Sequence, residues 1–207
     1  MRIRLFAAPI LIAALAVPAY ASMGGSPRPE PAPSQPNEIK AGEETTPRQQ
    51  AERLYGDAYE NIAKANAEAT RGKDKNAQKK YKNALERASN AVGLDSTYFE
   101  AWNLVGFAAR KLGDYPRSLS AYGRCLNIQP GYAAAREYLG EAYVELGRIR
   151  EAREQLAWLE RLNAVPQMET LTGRIREWQS AHPDSMMTAP AARPDSAARA
   201  PSTGSGN

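Results

Sequence analysis

One histidine and one cysteine in 207 residues leave little to build a reaction centre with. The histidine, His182, stands beside a low-complexity end, so a Ser-His-Asp or Cys-His arrangement has no geometry to work with. The lone Cys125 cannot form an internal disulfide and offers no cysteine cluster for a metal. The phosphate loop G-x-x-x-x-G-K-[ST], the dinucleotide fingerprint G-x-G-x-x-G and the zinc pair H-E-x-x-H are all missing. Carboxylates abound, but none pairs with another on an evident buried face for acid–base work. The expectation is a chain without catalysis, cofactor or metal.

Long apolar runs are missing too. The longest, Leu5–Val17, follows Arg2 and Arg4 and precedes Pro18 and Ala19-Tyr20-Ala21. A charged start, a short apolar stretch and an A-x-A site read as a secretory signal over residues 1–21, cleaved near Ala21. An uncleaved anchor is the alternative, although the run is short for a membrane span. Ser22 stands where a lipidated cysteine would, so a lipoprotein is not expected. The reading is a periplasmic or secreted protein. Losing Arg2 and Arg4 lowers the formal charge of +4 by two, and nothing in that balance demands nucleic acid.

Residues 22–46 carry Pro27, Pro29, Pro31, Pro33 and Pro36, a proline-rich linker with too few apolar groups to fold. At the other end Pro183-Asp184-Ser185 recurs as Pro194-Asp195-Ser196, and residues 182–207 read as a disordered low-complexity tail. Between them, residues 47–181 form one helical domain. Helices are expected at about 47–70, 76–92, 98–111, 115–128, 132–146, 149–162 and 167–180.

What is abundant is repetition. Trp102, Val105, Gly106, Ala109, Gly113, Ser118, Tyr122, Cys125, Ile128 and Pro130 recur 34 residues later. Their counterparts are Arg136, Leu139, Gly140, Tyr143, Gly147, Ala152, Leu156, Leu159, Leu162 and Ala164. A fixed period of this size marks a solenoid whose units bury their apolar faces on one another. The residues resemble the tetratricopeptide repeat family, W-x2-L-G-x2-Y, then A-x3-F, then P. Trp102-x2-Val105-Gly106, Ser118-x3-Tyr122 and Pro130 carry the likeness in one copy. Leu139-Gly140-x2-Tyr143 and Ala152-x3-Leu156 carry it in the next, where Arg136 replaces Trp and Ala164 replaces Pro. The resemblance implies an all-α, right-handed solenoid of antiparallel helix pairs, in units of about 47–98, 99–132 and 133–166.

Local chemistry fills in the outline. Gly113 and Gly147 suit left-handed turns, and Asp114 can cap the helix that follows. Gly106 and Gly140 sit mid-helix, so a close approach by Tyr122 or Leu156 should offset their cost. Cys125 falls at a packed position, with a reactive thiol as the alternative. The first unit is irregular, and the simplest account is a hairpin in which both helices are longer by roughly 12 Å. Its tip would then display Arg71, Lys73, Lys75, Lys79, Lys80 and Lys82, either a solvated surface or a knuckle for anionic lipid or an acidic partner. Leu85 and Val92, like Leu119 and Leu126, become Arg153 and Glu160 in the third unit, so no full fourth unit is expected. Leu171, Ile175 and Trp178 instead form the stripe of a capping helix at 167–180.

The resemblance further implies that each unit's first helix lines a concave, partner-binding groove. On this chain that groove would display Asn103, Phe107, Arg110 and Lys111, then Glu137, Glu141, Val144 and Glu145. The three glutamates either await a cationic ligand or pair with Arg110, Lys111 or Arg148. The lysine and asparagine set with which some relatives clamp a terminal carboxylate is absent. Trp158 either packs against the capping helix near Met168 or Trp178, or stays exposed as an anchor. The functional expectation is a scaffold binding a protein or peptide, in the assembly of an envelope or secretion complex. The alternatives are a structural module that self-associates into a homo-oligomer and a surface factor acting through the basic tip.

Overall fold

A computed structural model describes residues 45–183, and prolines and turn residues divide these described residues into seven helices. They are α1 (Pro47–Thr70), α2 (Asp74–Leu94), α3 (Phe99–Lys111), α4 (Tyr115–Ile128), α5 (Ala133–Glu145), α6 (Ile149–Arg161) and α7 (Val165–Ala181). Pro47, Pro116 and Pro166 occupy first-turn positions, where a missing N–H costs nothing. Thr46 and Gln49 close a reciprocal capping box on α1, at 3.2 and 2.8 Å. Asp114 accepts from the Arg117 N–H at the start of α4. Gly72, Gly113 and Gly147 take φ of +70°, +79° and +70° between paired helices, and Asn163 takes +52° before α7. The signal, most of the linker and nearly all of the tail expected from the sequence lie in residues 1–44 and 184–207, outside the described residues. No helix among the described residues is long and apolar enough to cross a membrane.

The pairs stack in series: α2 packs on α3, α4 on α5, and α7 on both α5 and α6. The product is an all-α solenoid of helix pairs. The first pair has its own seam. Ala51, Tyr55, Ala58, Ile62 and Ala65 on α1 are buried at alternating steps of four and three, and Ala77, Tyr81, Ala84, Ala88 and Ala91 follow the same spacing on α2. That spacing is a coiled-coil stripe, and its many alanines let the two axes approach closely. At 24 residues α1 exceeds the 13-residue α3 by roughly 16 Å, given 1.5 Å per residue. The base of this hairpin is fastened by Arg48, which pairs with Asp95 at 2.8 Å and lies 3.7 Å from the Tyr98 ring centroid.

Aromatic rings join one unit to the next. Tyr81 meets Phe107 at 6.5 Å, Phe107 meets Tyr138 edge-on at 5.1 Å, and Phe99 meets Tyr132 at 5.0 Å. Gly106 permits a further contact: a Cβ there would stand 2.6 Å from the buried Tyr122 ring. Gly140 serves a different neighbour from the one expected. Its missing side chain makes room for Leu171 of α7, not Leu156, because α7 packs on α5 there. Leu171 and Ile175 are buried, while Arg153 and Glu160 face solvent where α2 and α4 carry packed apolar residues. Among the described residues the stack therefore ends at α7.

Candidate functional site

The face expected to be an open groove is closed. Asn103, Phe107, Arg110, Glu137, Glu141 and Val144 are all buried, and only Lys111 and Glu145 remain exposed. An ion cluster set among rings occupies part of this face. Arg110 Nη1 donates to Glu145 at 2.7 Å, and Nη2 touches Glu141 at 2.6 Å without a hydrogen bond's alignment. The guanidinium lies 5.4 Å from the Phe107 ring centroid and 5.9 Å from that of Tyr138. Burial opposes its charge, but Tyr122, Glu141 and Glu145 outweigh that and hold its pKa above the ordinary value. Two of the three glutamates, Glu141 and Glu145, thus pair with Arg110 across the unit boundary. Glu137 differs. Desolvation, then repulsion from Glu141, pushes its pKa up to about 8 despite the attraction of Arg110.

An open site lies elsewhere, between α2 and α4. One cavity of 330 Å³ is lined by Lys82, Leu85, Glu86, Ser89, Asn90 and Arg117. A second, of 260 Å³, shares Ser89 and Arg117 and adds Val92, Trp102, Val105, Ser120 and Ala121. Together they make a cleft floored by Trp102 and Val105 of α3 and walled by the two second helices. Arg117 spans it: Nη2 donates to Ser89 Oγ at 2.7 Å, and Ser89 in turn donates to the Leu85 carbonyl. The repeat pattern presents Val92 and Val105 as packing positions, so the opening between them is not visible in it. The readable signal is Arg117 itself, a cation where the neighbouring units carry Asn83 and Glu151.

In the next interval, between α4 and α6, an arginine stands where the cleft has Trp102. Trp102 Nε1 donates to the Ser96 carbonyl at 2.9 Å. One period later Arg136 takes the same place and donates to the Pro130 carbonyl at 3.0 Å. Its other arm reaches Gln155 at 3.0 Å, and its guanidinium lies 4.3 Å from the Trp158 ring centroid. Trp158 is therefore held between Arg136 and Arg161, partly exposed, and is not stacked on Trp178. Trp178 stacks on His182 instead, at 4.3 Å.

The basic residues of the first unit do gather at the hairpin tip. Arg71 ends α1, Lys73 precedes α2, and Lys75, Lys79 and Lys82 are exposed along α2, with Lys80 half-buried. Glu68 holds the turn together, accepting from Asn76 at 3.2 Å and meeting Arg71 at 3.4 Å. Lys75, Lys79 and Lys82, spaced i, i+4 and i+7, run along one side of α2 toward the cleft.

Residues 109–175 match the family model described as Tetratricopeptide repeat. No curated protein matches the chain significantly. Among solved structures it is similar to the second TPR of Spaghetti (RPAP3) bound to the HSP90 peptide SRMEEVD, with 18% identity and a TM-score of 0.39. That alignment covers 53% of this chain and 95% of the other. It is also similar to the C-terminal TPR-containing domain of an FK506-binding protein of Plasmodium falciparum, with 18% identity and a TM-score of 0.38. Here 64% of this chain and 95% of the other are covered.

Proposed function

We propose that this chain is a non-catalytic scaffold that binds a segment of another protein in the cleft between α2 and α4. The observation that carries this reading is the cleft itself, open between α2 and α4 above a half-buried Trp102 and a buried Val105, beside a first-helix face occupied by Arg110 and its glutamates. The tetratricopeptide match over residues 109–175 supports the scaffold reading, because such repeats commonly serve as protein-binding modules. The signal-like residues 1–21 support placing the scaffold outside the cytoplasm, in the assembly of an envelope or secretion complex.

Selection of random peptides against the full chain tests the reading. Ser120 is exposed on α4 and lines the cleft, so Ser120→Trp fills it without entering the core. Selected peptides should lose roughly tenfold or more in affinity for Ser120→Trp, as blocking a central anchor does, and keep it for Lys111→Trp on the other face. Peptides indifferent to Ser120→Trp would contradict the location.

A further inference from the structure

We infer that the α2/α4 cleft recognises an acidic segment, one carboxylate on Arg117 beside an apolar side chain on the Trp102–Val105 floor. The inference rests on the cleft being the binding site and adds the chemistry of what enters it. Arg117 is the reason. Its guanidinium is fixed across the cleft by a neutral hydroxyl, Ser89 Oγ at 2.7 Å, and no carboxylate pairs with it among the described contacts. The nearest acid in sequence, Asp114, uses its carboxylate to cap the Arg117 backbone N–H at 3.2 Å. A guanidinium carries five donors in a planar fork, so most of them remain for a ligand.

The surroundings agree in sign. Lys82 lies on the opposite rim, and Lys79 and Lys75 continue the same side of α2 toward the tip. Glu86 is the one acid on the rim, against Lys82 and Arg117. The floor supplies the complementary half: the half-buried Trp102, set among the nearly covered Val92, Val105 and Ala121, can receive an apolar side chain but offers a charge no partner. A fixed arginine beside an aromatic floor therefore selects a carboxylate and a neighbouring apolar group together.

Fluorescence anisotropy on the full chain decides it, with a labelled peptide of about ten residues alternating glutamate and leucine and a second with glutamine for glutamate. The glutamate peptide should bind roughly tenfold more tightly or better, and the advantage should shrink at high salt. Arg117→Gln, an exposed substitution that keeps the backbone cap, should remove that advantage, whereas Arg117→Lys should keep part of it. Ser120→Trp should weaken both peptides. Equal binding of the two peptides, or an advantage that survives Arg117→Gln, overturns the acidic preference while sensitivity to Ser120→Trp preserves the cleft. Failure of the glutamate peptide to bind also overturns the preference. Binding unaffected by Ser120→Trp overturns both claims.

Discussion

A single side chain can hold a place in the repeat without keeping the residue type the pattern asks for. Arg136 stands where Trp102 stands one unit earlier, and both donate to the carbonyl six residues back. The sequence pattern flags Arg136 as a departure; only the contacts show that the donor is retained. Glu137 is the opposite case, since its spacing is plain in the sequence and its burial is not. With a folded pKa of about 8 and an ordinary value of 4.5, it favours the folded state most below pH 4.5. That contribution falls as pH rises from 4.5 to 8 and is flat above. Glu137→Gln should therefore be neutral near pH 4.5 and stabilise at pH 8. The gain at pH 8 is on the order of 4 kcal/mol, at about 1.4 kcal/mol per tenfold change in proton affinity and with the folded carboxyl half protonated there. Urea melts of both proteins across that range check it, and a difference independent of pH would contradict it.

At the scale of helices, the boundaries were legible because prolines, glycines and Asp114 mark them. The partners of each helix were less so. Gly106 and Gly140 occupy equivalent places, yet one faces a ring of α4 and the other a leucine of α7. Sequence periodicity extends the pattern of one unit to the next, and it fails where α7 replaces a full unit. The two sites should respond differently. Gly106→Ala drives a Cβ to 2.6 Å from Tyr122, a fully buried ring with no room to turn. Gly140→Ala drives a Cβ to 2.5 Å from Leu171, equally buried, but meets the methyl ends of a flexible side chain rather than a rigid ring. Both should destabilise, Gly106→Ala by roughly 2–3 kcal/mol and Gly140→Ala by less, as overpacking allows. Thermal melts that rank them the other way would contradict the packing.

Across the whole molecule, the stacking of helix pairs was readable from a 34-residue period, and the place left open by that stacking was not. Groove positions inherited from the family pattern became interior once Arg110 met Glu141 and Glu145 across the unit boundary. Contacts between residues a full unit apart depend on how two units are rotated, which local spacing does not state. The α2/α4 cleft depends on the same rotation. Backbone amide shift mapping of the full chain with a selected peptide tests the account most directly. It predicts perturbations centred on Leu85, Ser89, Val92, Trp102, Val105, Arg117 and Ser120. Perturbations centred on Lys111 and Glu145, with the cleft unchanged, would contradict it.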